Sequence, residues 1–188
     1  MQALNIALFQ AIAAGHAPGS PWLLWFAARV AEGSTWVCVA MMAWLAWRRP
    51  AQRVYVLAAL VAAGVASVLA QQLAEVIGMP RPFVLGLSPA HIEHGIRGAL
   101  PSAHATVMFT VGLVFCLRAA TRIVGAAILA IAVLTGWARI YVGVHFPFDI
   151  LAGLLLAGAI VAVFWGLERW GRRLVAPATA LDDDLRAR

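Results

Sequence analysis

The chain is 188 residues long, 63% hydrophobic and only 12% charged. A soluble domain of that size cannot cover so much apolar surface, which places the chain in a bilayer. Its 14 basic residues are all arginine and leave a net charge of +6, but they stand in short clusters between apolar runs, a pattern that orients a membrane protein rather than one that grips nucleic acid.

In chain order, "MQALNIALFQAIAAGHAPGS" lacks the basic start of a cleaved signal peptide. Residues 3–14 predict a short helix interrupted by Asn5 and Gln10, too short to span and suited to the interface or to packing on a bundle. A hydrocarbon core takes roughly 20 apolar residues per helix. Five runs approach that length: 21–47, 53–77, 102–118, 122–142 and 148–168. The expected fold is an all-α integral membrane bundle of about five transmembrane helices with a short N-terminal interfacial helix, forming one domain over 1–173. A polar tail expected to lack order follows over 174–188. Cys38 and Cys116 lie inside apolar runs and read as free buried thiols.

The clusters "RRPAQR" (48–53), Arg118 with Arg122, and "ERWGRR" (168–173) fall on one side if the five spans alternate, and that side is cytoplasmic by the positive-inside rule. The loop 78–101 and the turn 142–147 then face outward, and both ends carry arginine against the rule. Something anionic bound at the outer face accounts for Arg81, Arg97 and Arg139 there.

Polar residues from three spans lie at that depth, where a bundle could bring them together: Arg81 in "PRPF", Ser102 and His104 in "LPSAHA", and Arg139, His145 and Asp149 in "GWARIYVGVHFPFDI". They suit phosphoryl transfer through a covalent histidine. Arg81 and Arg139 can grip phosphate oxygens bidentately. Pro101 and Ser102 open a helix whose free N–H groups and hydroxyl bind an anion. Asp149, four residues after His145, can hold one imidazole nitrogen and leave the other as nucleophile. His104 is available to protonate a leaving oxygen. Taken singly, each piece reads as a loop, a helix start or a structural hydrogen bond; their joint occurrence on one side carries the weight.

This order resembles the type 2 phosphatidic acid phosphatase family, with its motifs Lys-x6-Arg-Pro, Pro-Ser-Gly-His and Ser-Arg-x5-His-x3-Asp. They appear here as "AEVIGMPRP" (74–82), "PSAH" (101–104) and "ARIYVGVHFPFD" (138–149), and the likeness covers about 70–168. The resemblance implies His145 as nucleophile, Asp149 as its orienter, His104 as acid, and Arg81, Ser102 and Arg139 as phosphate ligands, with no metal or other cofactor. Three positions depart from the pattern: Ala74 for the lysine, Ala103 for the glycine and Ala138 for the serine. These imply an altered grip on substrate or weakened activity, and Arg97 is a candidate to replace the lost charge. "NIALFQAI", "PRPF", His94 ten residues before His104, and "LTGWARIYVGVHFPFDILAG" are similar to the bacterial branch that hydrolyses undecaprenyl diphosphate. That branch works at the outer face of the cytoplasmic membrane, recycles the carrier lipid of cell-wall synthesis and accompanies bacitracin resistance.

Outside the motifs, Glu75, Gln71 and Gln72 lie in the outer half of the second span. Intramembrane polar groups default to function, although a hydrogen bond between helices explains them equally well. Glu32 can reach the site or pair with Arg29. His91, Glu93 and His94 are weak as a metal site, and His94 reads better as a substrate or supporting contact. Trp22, Trp25, Trp47 and Trp170 read as interfacial anchors. Three functions stay open. One is a phosphatase on undecaprenyl diphosphate. Another is a phosphatase or phosphotransferase on another lipid phosphate, such as lipid A, phosphatidylglycerol phosphate or phosphatidic acid. The third is a catalytically weak binder of lipid phosphate. The expected partners are a lipid phosphate and the bilayer, with no nucleic acid.

Overall fold

The computed structural model describes residues 2–17 and 19–186, with side chains to residue 171. Six α-helices make up the described chain: α1 (Gln2–Ile12), α2 (Pro21–Arg48), α3 (Arg53–Ile77), α4 (Ala103–Cys116), α5 (Arg122–Tyr141) and α6 (Pro147–Arg186). The expected polar tail, 174–188, falls on residues whose side chains lie outside those described. α2, α3, α5 and the stretch Pro147–Gly171 of α6 are long and apolar enough to cross a membrane. α4, the third of the five runs, has 14 residues, about 21 Å at 1.5 Å per residue. It does not meet that length, and its position explains why it need not. It packs against α3, α5 and α6, touches α2, and buries nine of its residues. Backbone that leaves a helix at membrane depth is tolerated where protein surrounds it.

The helices close on one another through small side chains. The buried stripe of α3 is Ala59, Ala62, Ala66, Ala70 and Ala74, at helical spacing and facing α4. α2 buries Ala27, Ala31, Ser34, Cys38, Met42 and Leu45 at the same spacing. Between lipid-solvated helices no hydrophobic force drives association, so close backbone approach and buried hydrogen bonds supply it. Thr135 Oγ1 donates to Ser34 Oγ at 2.8 Å, and Tyr55 Oη donates to the Val114 carbonyl at 2.5 Å. Large apolar residues such as Val54, Val76 and Ile123 point outward, as do Trp22, Trp25, Trp47 and Trp170.

The two ends of the bundle differ. At one, Arg49 Nη1 donates to the Ala120 carbonyl, and Arg118 pairs with Glu168 beneath the Tyr55 ring. At the other, the loop 78–102 closes on itself where Ala99 N donates to Met79 O, and is tied to the end of α5 where His91 N donates to Val142 O. α1 also packs there, against α5 and α6, with Asn5 and Phe9 buried. Of the two placements open to this helix, packing on the bundle is the one observed.

Candidate active site

The turn joining α5 to α6 carries the central residue. Gly143 adopts φ +84°, and a Cβ there would sit 2.4 Å from the Pro89 carbonyl oxygen, so only glycine lets the turn pass under the loop. Val144 N and His145 N both donate to Arg139 O, which folds the turn back on α5 and buries His145. Pro147 then starts α6, and Asp149 lies in its first turn.

His145 is held at both nitrogens. Nδ1 lies 3.2 Å from Asp149 Oδ2, which also accepts from Phe146 N at 2.8 Å. Nε2 lies 3.1 Å from Arg81 Nη1. A guanidinium cannot accept, so Nε2 is the acceptor and the proton sits on Nδ1, facing the carboxylate. Burial, with Arg139 and Arg81 adding to it, pushes this imidazole well below its ordinary value. The ring is neutral, with a lone pair on Nε2, the form a nucleophile needs.

Arg81 is fixed by the loop around it. Nε donates to Arg97 O at 2.8 Å, Nη2 to Gly98 O at 3.1 Å, and Nη1 to Val144 O at 2.9 Å. Burial lowers its value to about 10, which leaves it charged at neutral pH. Arg139, buried in the last turn of α5, donates from Nη1 to Ala31 O at 3.1 Å and from Nη2 to His94 Nε2 at 2.6 Å. Its Nε has no partner. His94 Nδ1 donates to Gly95 O, so its Nε2 is free to accept from Arg139. Burial and the two arginines lower His94 to about 4.

Ser102 caps the start of α4. Its N–H donates to Asp149 O at 3.0 Å, which ties α4 to α6 beside the histidine. Its side chain is fully buried and its hydroxyl has no partner. A buried polar atom without a partner calls for an explanation. Two of them here, Ser102 Oγ and Arg139 Nε, are the donors that phosphate oxygens would satisfy.

Arg81, His94, Arg97, His104, Arg139 and His145 line a cavity of about 300 Å³; Ser102, between the lining residues Pro101 and Ala103, and Asp149 are buried and joined to each other through Ser102 N and Asp149 O. The six residues singled out as catalytic or phosphate-binding therefore come together from the 78–102 loop, α4, α5 and α6. The secondary residues divide. His94 and Arg97 line the cavity, Gln71 lines it and Gln72 does not, and Glu75 reaches it only through Arg97, 3.4 Å away. The alternation of faces along α3 separates the two glutamines. Arg29 lies over the Trp25 ring instead of pairing with Glu32, and Glu32 borders a neighbouring hollow with Glu93, His94 and Arg139. His91 contacts the Gly15 carbonyl at 3.0 Å. Among the described residues no three His, Cys, Asp or Glu side chains are grouped as metal ligands. Sequence reasoning missed Asn5, whose Oδ1 accepts from Phe148 N at 3.1 Å, next to Asp149. The only signal was an amide interrupting an apolar helix.

The cavity geometry can be set beside known proteins. The pattern of the PAP2 superfamily matches residues 54–173, from the start of α3 into α6, and leaves out α1 and α2. "Putative undecaprenyl-diphosphatase YbjG" of Escherichia coli (strain K12) is 34% identical over 163 residues, 85% of this chain and 80% of its own. "Undecaprenyl-diphosphatase BcrC" of Bacillus subtilis (strain 168) is 34% identical over 86 residues, 46% of this chain and 44% of its own. Among solved structures, Aquifex aeolicus LpxE superposes with a TM-score of 0.71 at 25% identity, over 87% of this chain and 95% of that one. A PAP2-type phosphatidylglycerolphosphate phosphatase from Bacillus subtilis superposes with a TM-score of 0.66 at 22% identity, over 89% and 86%, and shares the fold.

Proposed function

The chain belongs to the PAP2 superfamily and is a membrane-embedded phosphatase, and from that premise we propose that it hydrolyses undecaprenyl diphosphate to undecaprenyl phosphate through a phosphohistidine at His145. The site faces the outside of a bacterial cytoplasmic membrane, where the product re-enters carrier-lipid recycling. The observation that carries the reading is the double hold on His145, with Asp149 on Nδ1 and a guanidinium beside Nε2.

In the first step Nε2 attacks the terminal phosphorus. An N–P bond forms and the bridging P–O bond breaks, its electron pair passing to the oxygen that stays with the lipid. His104, on the cavity wall, gives that oxygen a proton. Arg81, Arg139 and Ser102 hold the equatorial oxygens as charge builds on them. In the second step water attacks phosphorus, His104 takes its proton, and the N–P electron pair returns to Nε2, releasing inorganic phosphate. Asp149 steadies the imidazolium character of the ring throughout. Arg97 and His94 border the same space.

The test is phosphate release from undecaprenyl diphosphate, phosphatidylglycerol phosphate and phosphatidic acid by the purified full chain, with and without EDTA. The diphosphate should have the highest kcat/KM, and chelator should leave the rate unchanged, because the phosphate contacts are two guanidiniums, a hydroxyl and a helix start. A higher kcat/KM on either other lipid would replace the substrate. Loss in EDTA that magnesium restores would replace the mechanism.

A further inference from the structure

In the reading above, two of the three guanidiniums lining the cavity serve the reacting phosphate: Arg81 touches the nucleophile, and Arg139 is buried. The third differs. The Arg97 side chain is 71% exposed, and its one ion pair among the described residues is with Glu75, itself 49% exposed, at 3.4 Å. A pair so open to water holds weakly. Its backbone is the opposite case. Arg97 O and Gly98 O both accept from Arg81, so the base of the Arg97 side chain is bolted beside the phosphate-gripping group.

The α3 wall allows this. A Cβ at Gly98 would lie 1.9 Å from the Ala74 carbonyl oxygen, so glycine is needed for the segment to lie on the helix at that point. Ala74 brings only a methyl group to the cavity there, and Gln71, one turn earlier, lines the same wall. A cation therefore approaches this wall from the loop and not from the helix. His145, Arg81 and Arg139 line the same cavity, with Arg81 held directly against the Arg97–Gly98 segment. About 300 Å³ is within the range of small-molecule sites, roughly 300–1,000 Å³, and exceeds what a single phosphoryl group fills.

We propose that Arg97 grips the phosphate that stays with the lipid, and so makes the site select diphosphates over monophosphates. This rests on the diphosphatase reading above and adds to it the residue that sets the preference. Glu75 parks the side chain; when a diphosphate enters, Arg97 exchanges that carboxylate for the second phosphate, and Gln71 flanks it on the His104 side. A monophosphate offers nothing at that position. Arg97 touches the leaving group, where added positive charge also favours departure of its oxygen.

The test uses two substrate pairs with purified full-length protein. Farnesyl diphosphate and farnesyl phosphate share one tail. Methylenediphosphonate and inorganic phosphate serve as inhibitors of p-nitrophenyl phosphate hydrolysis and have no tail. Arg97→Gln should lower kcat/KM for farnesyl diphosphate roughly ten- to a hundredfold, the worth of a hydrogen bond to a charged group. It should change that for farnesyl phosphate less than about threefold. It should weaken methylenediphosphonate by a similar factor and leave inorganic phosphate alone. Arg97→Lys should restore part of the loss, and Glu75→Gln should bind the diphosphonate at least as well as the parent. Equal losses within each pair, or no loss on the diphosphate members, would overturn the proposal. A parent protein inactive on farnesyl diphosphate would instead remove the substrate reading, while the inhibitor pair would still report on Arg97.

Discussion

His145 accepts from a cation and donates to an anion, so its two nitrogens are chemically unlike. That asymmetry makes separate predictions for its neighbours. His145→Ala should form no phosphoenzyme with any substrate. His104→Ala should lose about 100- to 10,000-fold on a lipid leaving group, the usual worth of general acid catalysis. It should recover part of its phosphorylation rate with p-nitrophenol, which departs without a proton. Rapid-quench measurement of protein-bound phosphate checks both, and equal losses of His104→Ala on the two leaving groups would remove its role as acid. The same residue predicts a pH dependence. His145 is reactive when neutral, and burial with two arginines holds it well below the ordinary histidine value. As pH falls, the fraction able to attack should therefore persist below about 6.5. Phosphoenzyme formation from p-nitrophenyl phosphate should show no acid limb at that value; a limb there would mean the ring is not held as described.

At the scale of elements, α1 has a role that its length conceals. Asn5 Oδ1 accepts from Phe148 N in the first turn of α6, and Phe9 packs its ring on Phe146 with centroids 5.3 Å apart. Both contacts brace the turn between His145 and Asp149 from behind. Losing a side-chain cap costs about 0.5–2 kcal/mol, and here that cost falls on the residues that aim the nucleophile. Asn5→Ala should lower kcat more than it raises KM, and Asn5→Asp, which keeps an acceptor, should recover most of it. A change confined to thermal stability, with kcat intact, would reduce α1 to scaffold. The run 3–14 showed that a helix was present, and its amide was visible, but its partner lies 143 residues away, beyond any local pattern. α4 is the complementary case. Its apolar composition gave a span, and only its burial among α3, α5 and α6 explains how 14 residues suffice. The motif residues were legible because phosphate chemistry restricts side-chain type and spacing. The Arg81–His145 contact was not, because it depends on how the loop folds over the turn.

At the scale of the whole molecule, the connections sort themselves into two ends without reference to charge. Arg49 reaches the Ala120 carbonyl, joining the 48–53 connection to the 117–121 turn. Arg118 pairs with Glu168 at that same end. The loop 78–102, the turn at 142–146 and α1 share the other end with the cavity. The first end collects the arginine clusters, and charge asymmetry sets orientation, so the cavity end should face outward. A substrate whose diphosphate is too polar to cross the bilayer unaided must then be met on that side. The orientation is open to direct test. Gly95 has no atom within 4 Å of an added Cβ, and Ala51 is exposed at the opposite end, so both accept cysteine. In a background with Cys38→Ala and Cys116→Ala, Gly95→Cys should react with an impermeant maleimide in intact cells. Ala51→Cys should react only after the membrane is opened. The reverse pattern would turn the molecule over and place hydrolysis on the cytoplasmic side. The fold and the chemistry of the site would stand unchanged, and the recycling role assigned to the outer face would fall.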